Sequence, residues 1–111
     1  MMKLSLEISD AAAQEIINQA LYYREESPDS SLEQRWDNAV NQTVQSLLSM
    51  PERGSPCHFQ SSDLPDMRWV SVAGFSKHIV VYVLRAKERV VHVVHILHGA
   101  RDLEAFFDND L

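Results

Sequence analysis

The chain has one cysteine, three glycines and no long apolar run. The single thiol, Cys57, excludes an intramolecular disulfide and a cysteine-based zinc cluster. No apolar stretch approaches the roughly 20 residues of a membrane-spanning helix, and the N-terminus is too short in its apolar part for a signal peptide. The three glycines form no glycine-rich phosphate loop, so we expect no nucleotide cofactor. With 111 residues, 45% of them hydrophobic, the sequence predicts one cytoplasmic domain over residues 1–111 that contacts no membrane.

Charge is distributed unevenly along the chain, whose formal net charge is −6. Residues 1–66 carry four basic and eleven acidic side chains, whereas residues 67–101 carry six basic side chains and one acidic one. Four of the five histidines also lie in that second segment. A local basic face on an acidic protein can bind a polyanion or an acidic protein segment. We therefore expect any working surface between Met67 and Arg101, the alternative being solvated charges at strand edges.

The N-terminus has the pattern of a strand followed by a helix. Apolar and polar side chains alternate over residues 4–8, as in a strand with one buried face. Ser9 and Asp10 offer oxygens that can cap a helix, and Pro28 disfavours helical geometry at Ser27, which would end it. The predicted buried stripe of this helix consists of Ala13, Ile16, Ile17, Ala20 and Leu21.

A second helix is predicted up to Met50, where Pro51 and Gly54 would stop it. Its start is indicated by Ser30 and Ser31, because each fits a capping box with the residue three positions on. Together the two helices would form a helical hairpin, each with an apolar face to cover. The predicted buried stripe of the second helix is Leu32, Trp36, Val40, Val44, Leu47 and Leu48.

The C-terminal half has the pattern of a loop and three strands. Residues 51–66 hold three of the four prolines and form a loop, and the strands are predicted over 68–72, 77–85 and 89–98. The middle strand is apolar at both parities, as expected of a central strand covered on two sides. Residues 102–110 could form a short acidic helix. The sequence therefore predicts an α+β fold, a mostly antiparallel sheet with the helical hairpin on one face.

The histidines do not have the spacing of a metal site. On a regular strand His92 and His98 share a parity but lie roughly 20 Å apart at about 3.3 Å per residue, and His95 points to the other face. No helical pair of histidines with ligand spacing is present. We therefore predict no metal bound within the chain.

Acid–base chemistry needs only one histidine at a strand end. His98 precedes the break at Gly99, and Arg101 and Arg68 could supply cations for the charge that develops on a phosphodiester. The alternative is structural: His98 ends the strand, Arg101 pairs with nearby carboxylates, and Arg68 is solvated. Cys57 could be a nucleophile beside His58, but the sequence shows no third residue that would orient the histidine. A structural thiol is therefore the better interpretation of Cys57.

Two segments carry a family resemblance: the run from Gly74-Phe75 through Ile79–Val83, and then residues 90–103, ending in ILHGARDL. They resemble the C-terminal half of the RelE/ParE superfamily of toxins from bacterial type II toxin–antitoxin modules. The ending is most similar to the ParE branch. The N-terminal LSLEISDAAAQEI, the helical hairpin and the loop agree with it. The resemblance implies the fold predicted above.

The resemblance also implies a function. ParE-like members poison DNA gyrase, whereas RelE-like members cut mRNA on the ribosome, and a cognate antitoxin neutralises both. The position that matches a C-terminal tyrosine of RelE-like nucleases is Phe107, which has no hydroxyl group, and the segment around it is acidic. The expectation is therefore a ParE-like toxin with no small-molecule substrate and no enzymatic activity. A ribosome-dependent nuclease using Arg68, His98 and Arg101, and a non-toxic binding relative, stay open.

On the ParE-like interpretation the working sites are protein-binding surfaces. Arg101 and Phe106, with the loop 51–66, are the expected contacts to gyrase. If Arg68, Arg85 and Arg89 face the groove in which an antitoxin lies, they would attract an acidic antitoxin tail.

Overall fold

The computed structural model describes residues 3–29, 31–57 and 66–98. Within these ranges the chain forms two helices and five strands, in an order that matches the prediction except for an additional short strand in the loop. The elements are β1 (Ser5–Ile8), α1 (Asp10–Glu26), α2 (Leu32–Ser49), β2 (Ser55–Pro56), β3 (Arg68–Val72), β4 (Phe75–Arg85) and β5 (Val90–His98). The predicted helix at 102–110 and the candidate residues Arg101 and Phe106 lie outside the described ranges.

The strands form one sheet in the order β1-β5-β4-β3-β2. β1 lies parallel to β5, and all other neighbours are antiparallel. β4 lies in the middle, and its residues 79–83 are buried at both parities, which confirms the prediction of a central strand. The predicted α+β fold with a helical hairpin against the sheet is confirmed.

The strand β4 divides its side chains between two hydrophobic clusters, because successive residues of a strand point to opposite faces. Val80 and Tyr82 belong to the first cluster, which contains the buried residues of both helices. Ile79, Val81 and Val83 belong to the second cluster, with Cys57, Met67 and Leu97. Both faces of the sheet are therefore apolar at its centre.

The helix α1 begins as predicted but is rotated relative to the predicted stripe. The Ser9 hydroxyl accepts a hydrogen bond from the Ala12 N–H at 3.0 Å, so the expected N-cap is confirmed. Ala12 and Ala20 are buried, with Ile16 and Tyr23 packed against the same cluster, whereas Ile17 and Leu21 are 50% and 44% exposed. The prediction that Ile17 and Leu21 are buried is wrong, because Ala12 and Tyr23 complete the buried stripe with Ile16 and Ala20, which turns Ile17 and Leu21 toward solvent.

The helix α2 buries four of the six residues of the predicted stripe, with Leu32 and Leu48 partly buried, but it lacks the predicted cap. Trp36, Val40, Val44 and Leu47 are buried in the first cluster. Ser31 occupies the N-cap position with φ 54°, and its side chain makes no capping hydrogen bond, so a capping box at Ser31 is wrong. Neither helix in the described ranges combines the length and apolar character needed to cross a bilayer.

A bulge in β5 changes which of its side chains share a face. Val81 pairs with His95 but Tyr82 pairs with Val93, so Val94 is an extra residue on β5. Val91 and Val93 lie in the first cluster, and Ile96, three residues further on, lies there too. The regular alternation that placed His92 and His98 on one face is therefore wrong.

Candidate functional site

A pocket of about 620 Å³ opens between α1 and the sheet, where β4 begins and β5 ends. The helix α1 contributes Tyr22 and Tyr23, α2 contributes Trp36, and the strands contribute Lys77, His78 and His98. These residues come from four elements, so the pocket exists only in the folded chain. Its lining combines aromatic rings with a lysine and two histidines.

The pocket is built on a chain of ring contacts. Trp36 is buried and its indole N–H donates to the Ile16 carbonyl oxygen at 3.1 Å, which fixes the ring against α1. The His78 ring lies edge-on to Trp36, with centroids 4.9 Å apart, and the His98 ring is 5.4 Å from His78. His78 and His98 are also directly opposite each other in the β4–β5 register. Tyr23 extends the ring contacts, 5.9 Å from Trp36.

The edge of β5 beside the pocket is closed by α1. β1 pairs with β5 only as far as Val93, and the Ser9 N–H continues the pairing by donating to the Val93 carbonyl at 2.9 Å. Past that point the Glu15 carboxylate accepts from the Ile96 N–H at 2.9 Å and lies 3.3 Å from His95 Nδ1. The Glu15 carboxylate therefore provides the Ile96 N–H with the acceptor that β1 no longer supplies at this edge of β5.

The loop after α2 is pinned to the sheet by Tyr82 and Arg68. The buried Tyr82 hydroxyl donates to the Pro51 carbonyl at 2.8 Å and accepts from the Gly54 N–H at 2.9 Å. Arg68 Nη1 donates to the Gly54 carbonyl at 2.8 Å. A Cβ atom at Gly54 would lie 2.8 Å from Cε1 of Tyr82, so only glycine fits this approach. Arg68 thus holds the main chain of the loop.

Burial raises the pKa of the Tyr82 phenol above its usual value, although the Gly54 N–H and the cations Arg68 and Arg53 partly offset the shift. The Cys57 thiol lies in the second cluster, and burial raises its pKa as well. Both groups are therefore held in their neutral forms at pH 7. A neutral, buried thiol agrees with the interpretation of Cys57 as structural.

The structure does not bring Arg68 and His98 together. Arg68 pairs with Tyr82 and His98 with His78, so they lie on strands either side of β4 and four residues apart along it. That offset is roughly 13 Å along the strands and about 10 Å across them. In the described ranges no three His, Cys, Asp or Glu side chains are close enough to hold a metal ion.

Arg85 and Arg89 flank the turn between β4 and β5, at the opposite end of the hairpin from the pocket. Arg85 lies 3.9 Å from the Glu88 carboxylate, and the two side chains are 40% and 66% exposed. Arg89 is exposed with φ 58°, and its carbonyl accepts from the Ser5 N–H. These two arginines form a basic turn, which is separate from Arg68.

The histidine pair was not predicted from the sequence, and the reason is the bulge. Counting back from the turn, where Arg85 pairs with Val90, a regular hairpin would place His78 opposite Leu97. The extra residue Val94 moves His98 into that place. Tyr22 and Tyr23 gave no functional signal, because aromatic residues in a helix are usually core.

Comparison with known proteins places the chain among toxins. The family model described as the ParE toxin of the type II toxin–antitoxin system parDE matches residues 6–103. Among solved structures, the chain is similar to a chromosomal ParDE system of P. aeruginosa, with 12% identity over 88% of this chain and 98% of that one and a TM-score of 0.68. It is also similar to a mutant E. coli RelE toxin in the free state, with 13% identity over 99% of both chains and a TM-score of 0.57. No curated protein matches the sequence significantly.

Proposed function

Because the chain belongs to the ParE toxin family of type II toxin–antitoxin systems, we propose that it inhibits DNA gyrase in the cytoplasm and is neutralised by a cognate antitoxin. The family match over residues 6–103 carries this proposal, since it spans both helices, the strands β2 to β5 and all of β1 except its first residue. The toxin acts by holding gyrase in a state in which cleaved DNA persists. Its site is then a protein-binding surface.

The position of Arg68 supports gyrase over mRNA as the target. A nuclease needs cations beside its acid and base. Arg68 instead donates to main-chain carbonyls of the loop, and it lies on β3, whereas His98 lies on β5 on the other side of β4. With Phe107 in place of a tyrosine, one further proton donor is missing. Gyrase poisoning needs neither group.

Arg101 and Phe106 remain the proposed contacts to gyrase, together with the loop that follows α2. Tyr82 and Arg68 hold residues 51–54 of this loop against the sheet, which presents that segment in one conformation. A preformed loop loses less conformational entropy on binding than a loose one.

The basic turn of Arg85 and Arg89 is the proposed contact for an acidic antitoxin tail. The Arg85 side chain is 40% exposed and Arg89 is exposed, and among the described residues Glu88 is the carboxylate within ion-pair distance of Arg85. Arg68, the third expected contact, already donates to two carbonyls, so we expect it to contribute less to antitoxin binding than Arg85 and Arg89. Electrostatic attraction of this kind mainly raises the association rate and weakens with salt.

The test of the target is induction of the chain alone in a bacterium with a DNA-damage reporter, with growth followed in parallel. A gyrase poison gives arrest with a strong reporter signal, and Arg101→Glu should weaken both. Arg35→Glu, an equal charge change on the exposed side of α2, is the matched control. Arrest with a silent reporter would point to mRNA cleavage, and normal growth to a non-toxic relative.

The test of the basic turn is antitoxin affinity. The double variant Arg85→Glu/Arg89→Glu should bind the antitoxin about tenfold more weakly and lose most of its salt dependence. Lys3→Glu/Arg35→Glu makes the same change in net charge at exposed sites elsewhere and should bind like the parent chain. Unchanged affinity and salt dependence in the first variant would remove the turn from the interface.

A further inference from the structure

The helix α2 leads into a turn that carries the most exposed large apolar side chain of the described ranges. Met50 is 63% exposed, compared with 54% for Tyr22 and 50% for Ile17. It belongs to neither hydrophobic cluster, whereas Leu47 is buried in the first cluster and Leu48 packs against it. The side chain of Met50 therefore contributes little to the core and is accessible to a partner.

The main chain at Met50 is fixed on both sides. The Met50 N–H donates to the Ser46 carbonyl at 3.0 Å and closes the last turn of α2. The Arg53 N–H donates to the Met50 carbonyl at 3.1 Å, which closes a β-turn over residues 50–53. Pro51 occupies the second position of this turn, where its restricted φ angle fits.

The same turn is tied to the sheet through two successive main-chain carbonyls. The Tyr82 hydroxyl donates to the Pro51 carbonyl at 2.8 Å. Arg68 Nη1 donates to the Glu52 carbonyl at 3.3 Å. Two strands of the sheet, β3 and β4, thus hold the turn in which Met50 is exposed.

Arg53 presents a positive charge from this turn. Its Nε atom donates to the Ser46 hydroxyl at 3.1 Å, which holds the guanidinium beside the end of α2. The ion pairs within the described ranges involve other side chains, so the charge of Arg53 is accessible to a partner. Residues 50–53 also line a cavity of about 360 Å³, which gives the turn a concave surface.

The composition of the turn favours a folded protein surface over an acidic tail as its partner. Glu52 and Arg53 are both exposed and compensate each other's charge, so an acidic antitoxin tail gains little there. Methionine adapts its shape to an apolar pocket, and a preformed turn loses little conformational entropy on binding. The turn is also continuous with residues 51–54, the part of the proposed gyrase contact that the sheet holds in place.

We propose that Met50 is the apolar anchor of the contact to gyrase, entering an apolar pocket of that enzyme while Arg53 donates to a carboxylate beside the pocket. The inference rests on the proposed function, because it takes gyrase as the partner. Methionine and arginine are both enriched in protein interfaces, and a few desolvated anchors of this kind carry most of the binding energy.

The experiment measures the concentration of full-length toxin that halves the supercoiling activity of purified gyrase on relaxed plasmid DNA. Met50→Ser should require about tenfold more toxin than the parent chain, and Met50→Leu, which keeps an apolar side chain, less than about threefold more. Leu21→Ser removes a half-exposed apolar side chain from α1 and is the matched control, which should inhibit like the parent chain. Equal inhibition by folded Met50→Ser and Leu21→Ser would overturn the proposal.

A second pair of variants covers the case in which Met50→Ser does not fold. Arg53→Gln should require about tenfold more toxin, whereas Arg35→Gln, which removes an exposed arginine of α2, should inhibit like the parent chain. Equal inhibition by these two variants would overturn the proposal.

The affinity for the cognate antitoxin separates the two protein partners. Met50→Ser should bind the antitoxin like the parent chain, because the acidic tail is attracted to the basic turn. Tenfold weaker antitoxin binding with unchanged inhibition of gyrase would assign Met50 to the antitoxin interface and overturn the proposal.

The proposed function and this inference fail in different ways. If the parent chain leaves supercoiling unaffected, gyrase is not the target and both are wrong. If the parent chain inhibits gyrase and folded Met50→Ser inhibits it equally, the toxin function stands and Met50 is not part of the contact.

Discussion

At the scale of single residues, Tyr82 joins the central strand to the loop after α2. Its hydroxyl bonds to Pro51 and Gly54, which are 31 and 28 residues away in the sequence. Tyr82→Phe removes the hydroxyl and leaves a buried N–H without its acceptor. We expect a loss of about 1–3 kcal/mol in the free energy of unfolding, measured by urea denaturation. Tyr22→Phe, at an exposed position, is the control and should change stability little.

The same hydroxyl predicts how stability depends on alkaline pH. Burial raises the pKa of Tyr82 in the folded state, so above about pH 10 the unfolded chain loses this proton first. Stability should therefore fall as the pH rises through that region, and Tyr82→Phe should reduce the slope. Equal slopes in the parent chain and Tyr82→Phe would contradict the assignment.

Cys57 gives a second prediction at this scale. Its thiol is buried and burial raises its pKa, so little thiolate is present at pH 7. We expect Ellman's reagent to modify the native chain many times more slowly than the chain unfolded in urea. A native rate equal to the unfolded rate would mean that the thiol is accessible, and its interpretation as structural would be wrong.

At the scale of elements, the contact between α1 and β5 depends on Glu15. Its carboxylate replaces a strand partner for the Ile96 N–H, beyond the end of β1. Glu15→Ala should cost about 1–3 kcal/mol in the free energy of unfolding and speed hydrogen exchange at the Ile96 amide. Gln14→Ala is the matched control, since the Gln14 amide donates to the exposed Asn18 on the same helix and not to the sheet. An unchanged exchange rate at Ile96 in Glu15→Ala would show that the bond is dispensable.

Much of the element order could be predicted because its signals are local. Alternation indicated β1, the richness in Val, Ile, Tyr and Trp indicated β3, β4 and β5, and Ser9 and Pro28 bounded α1. The rotation of α1 could not be predicted, since Ile17 and Leu21 are as apolar as the residues that are buried. Which apolar side chains of α1 are buried depends on what fits against Trp36 and the sheet, and such tertiary packing has no local signal in the sequence.

The candidate site was less predictable than the fold. Val94 is an ordinary strand residue, and nothing in its neighbourhood marks it as the bulge that sets His98 opposite His78. Arg68 carried the expected charge, but its bonds to the loop depend on the approach of Gly54 to Tyr82. A contact that needs the register of three strands cannot be read from one segment.

At the scale of the whole molecule, the first and last strands described here are neighbours. The Ser5 N–H donates to the Arg89 carbonyl, and the Ser9 hydroxyl donates to the Val94 carbonyl at 2.6 Å across 85 residues. The sheet is completed only when the N-terminal strand reaches β5. Such long-range pairing slows folding, because the chain loses the entropy of loop closure before the contacts that compensate this loss have formed.

The two hydrophobic clusters should unfold together. They share β4, whose residues alternate between them, so the strand cannot release one face and keep the other. Trp36 lies in the first cluster and Trp69 packs against the second, so Trp69→Phe and Trp36→Phe each leave a fluorescence probe of one cluster. In each variant the fluorescence midpoint in urea should coincide with that of circular dichroism, even though Trp36→Phe lowers both by removing the bond to Ile16. If Trp69 fluorescence changed at a lower urea concentration than the helical signal, the second cluster would be an independent unit, and the sheet would not couple its two faces.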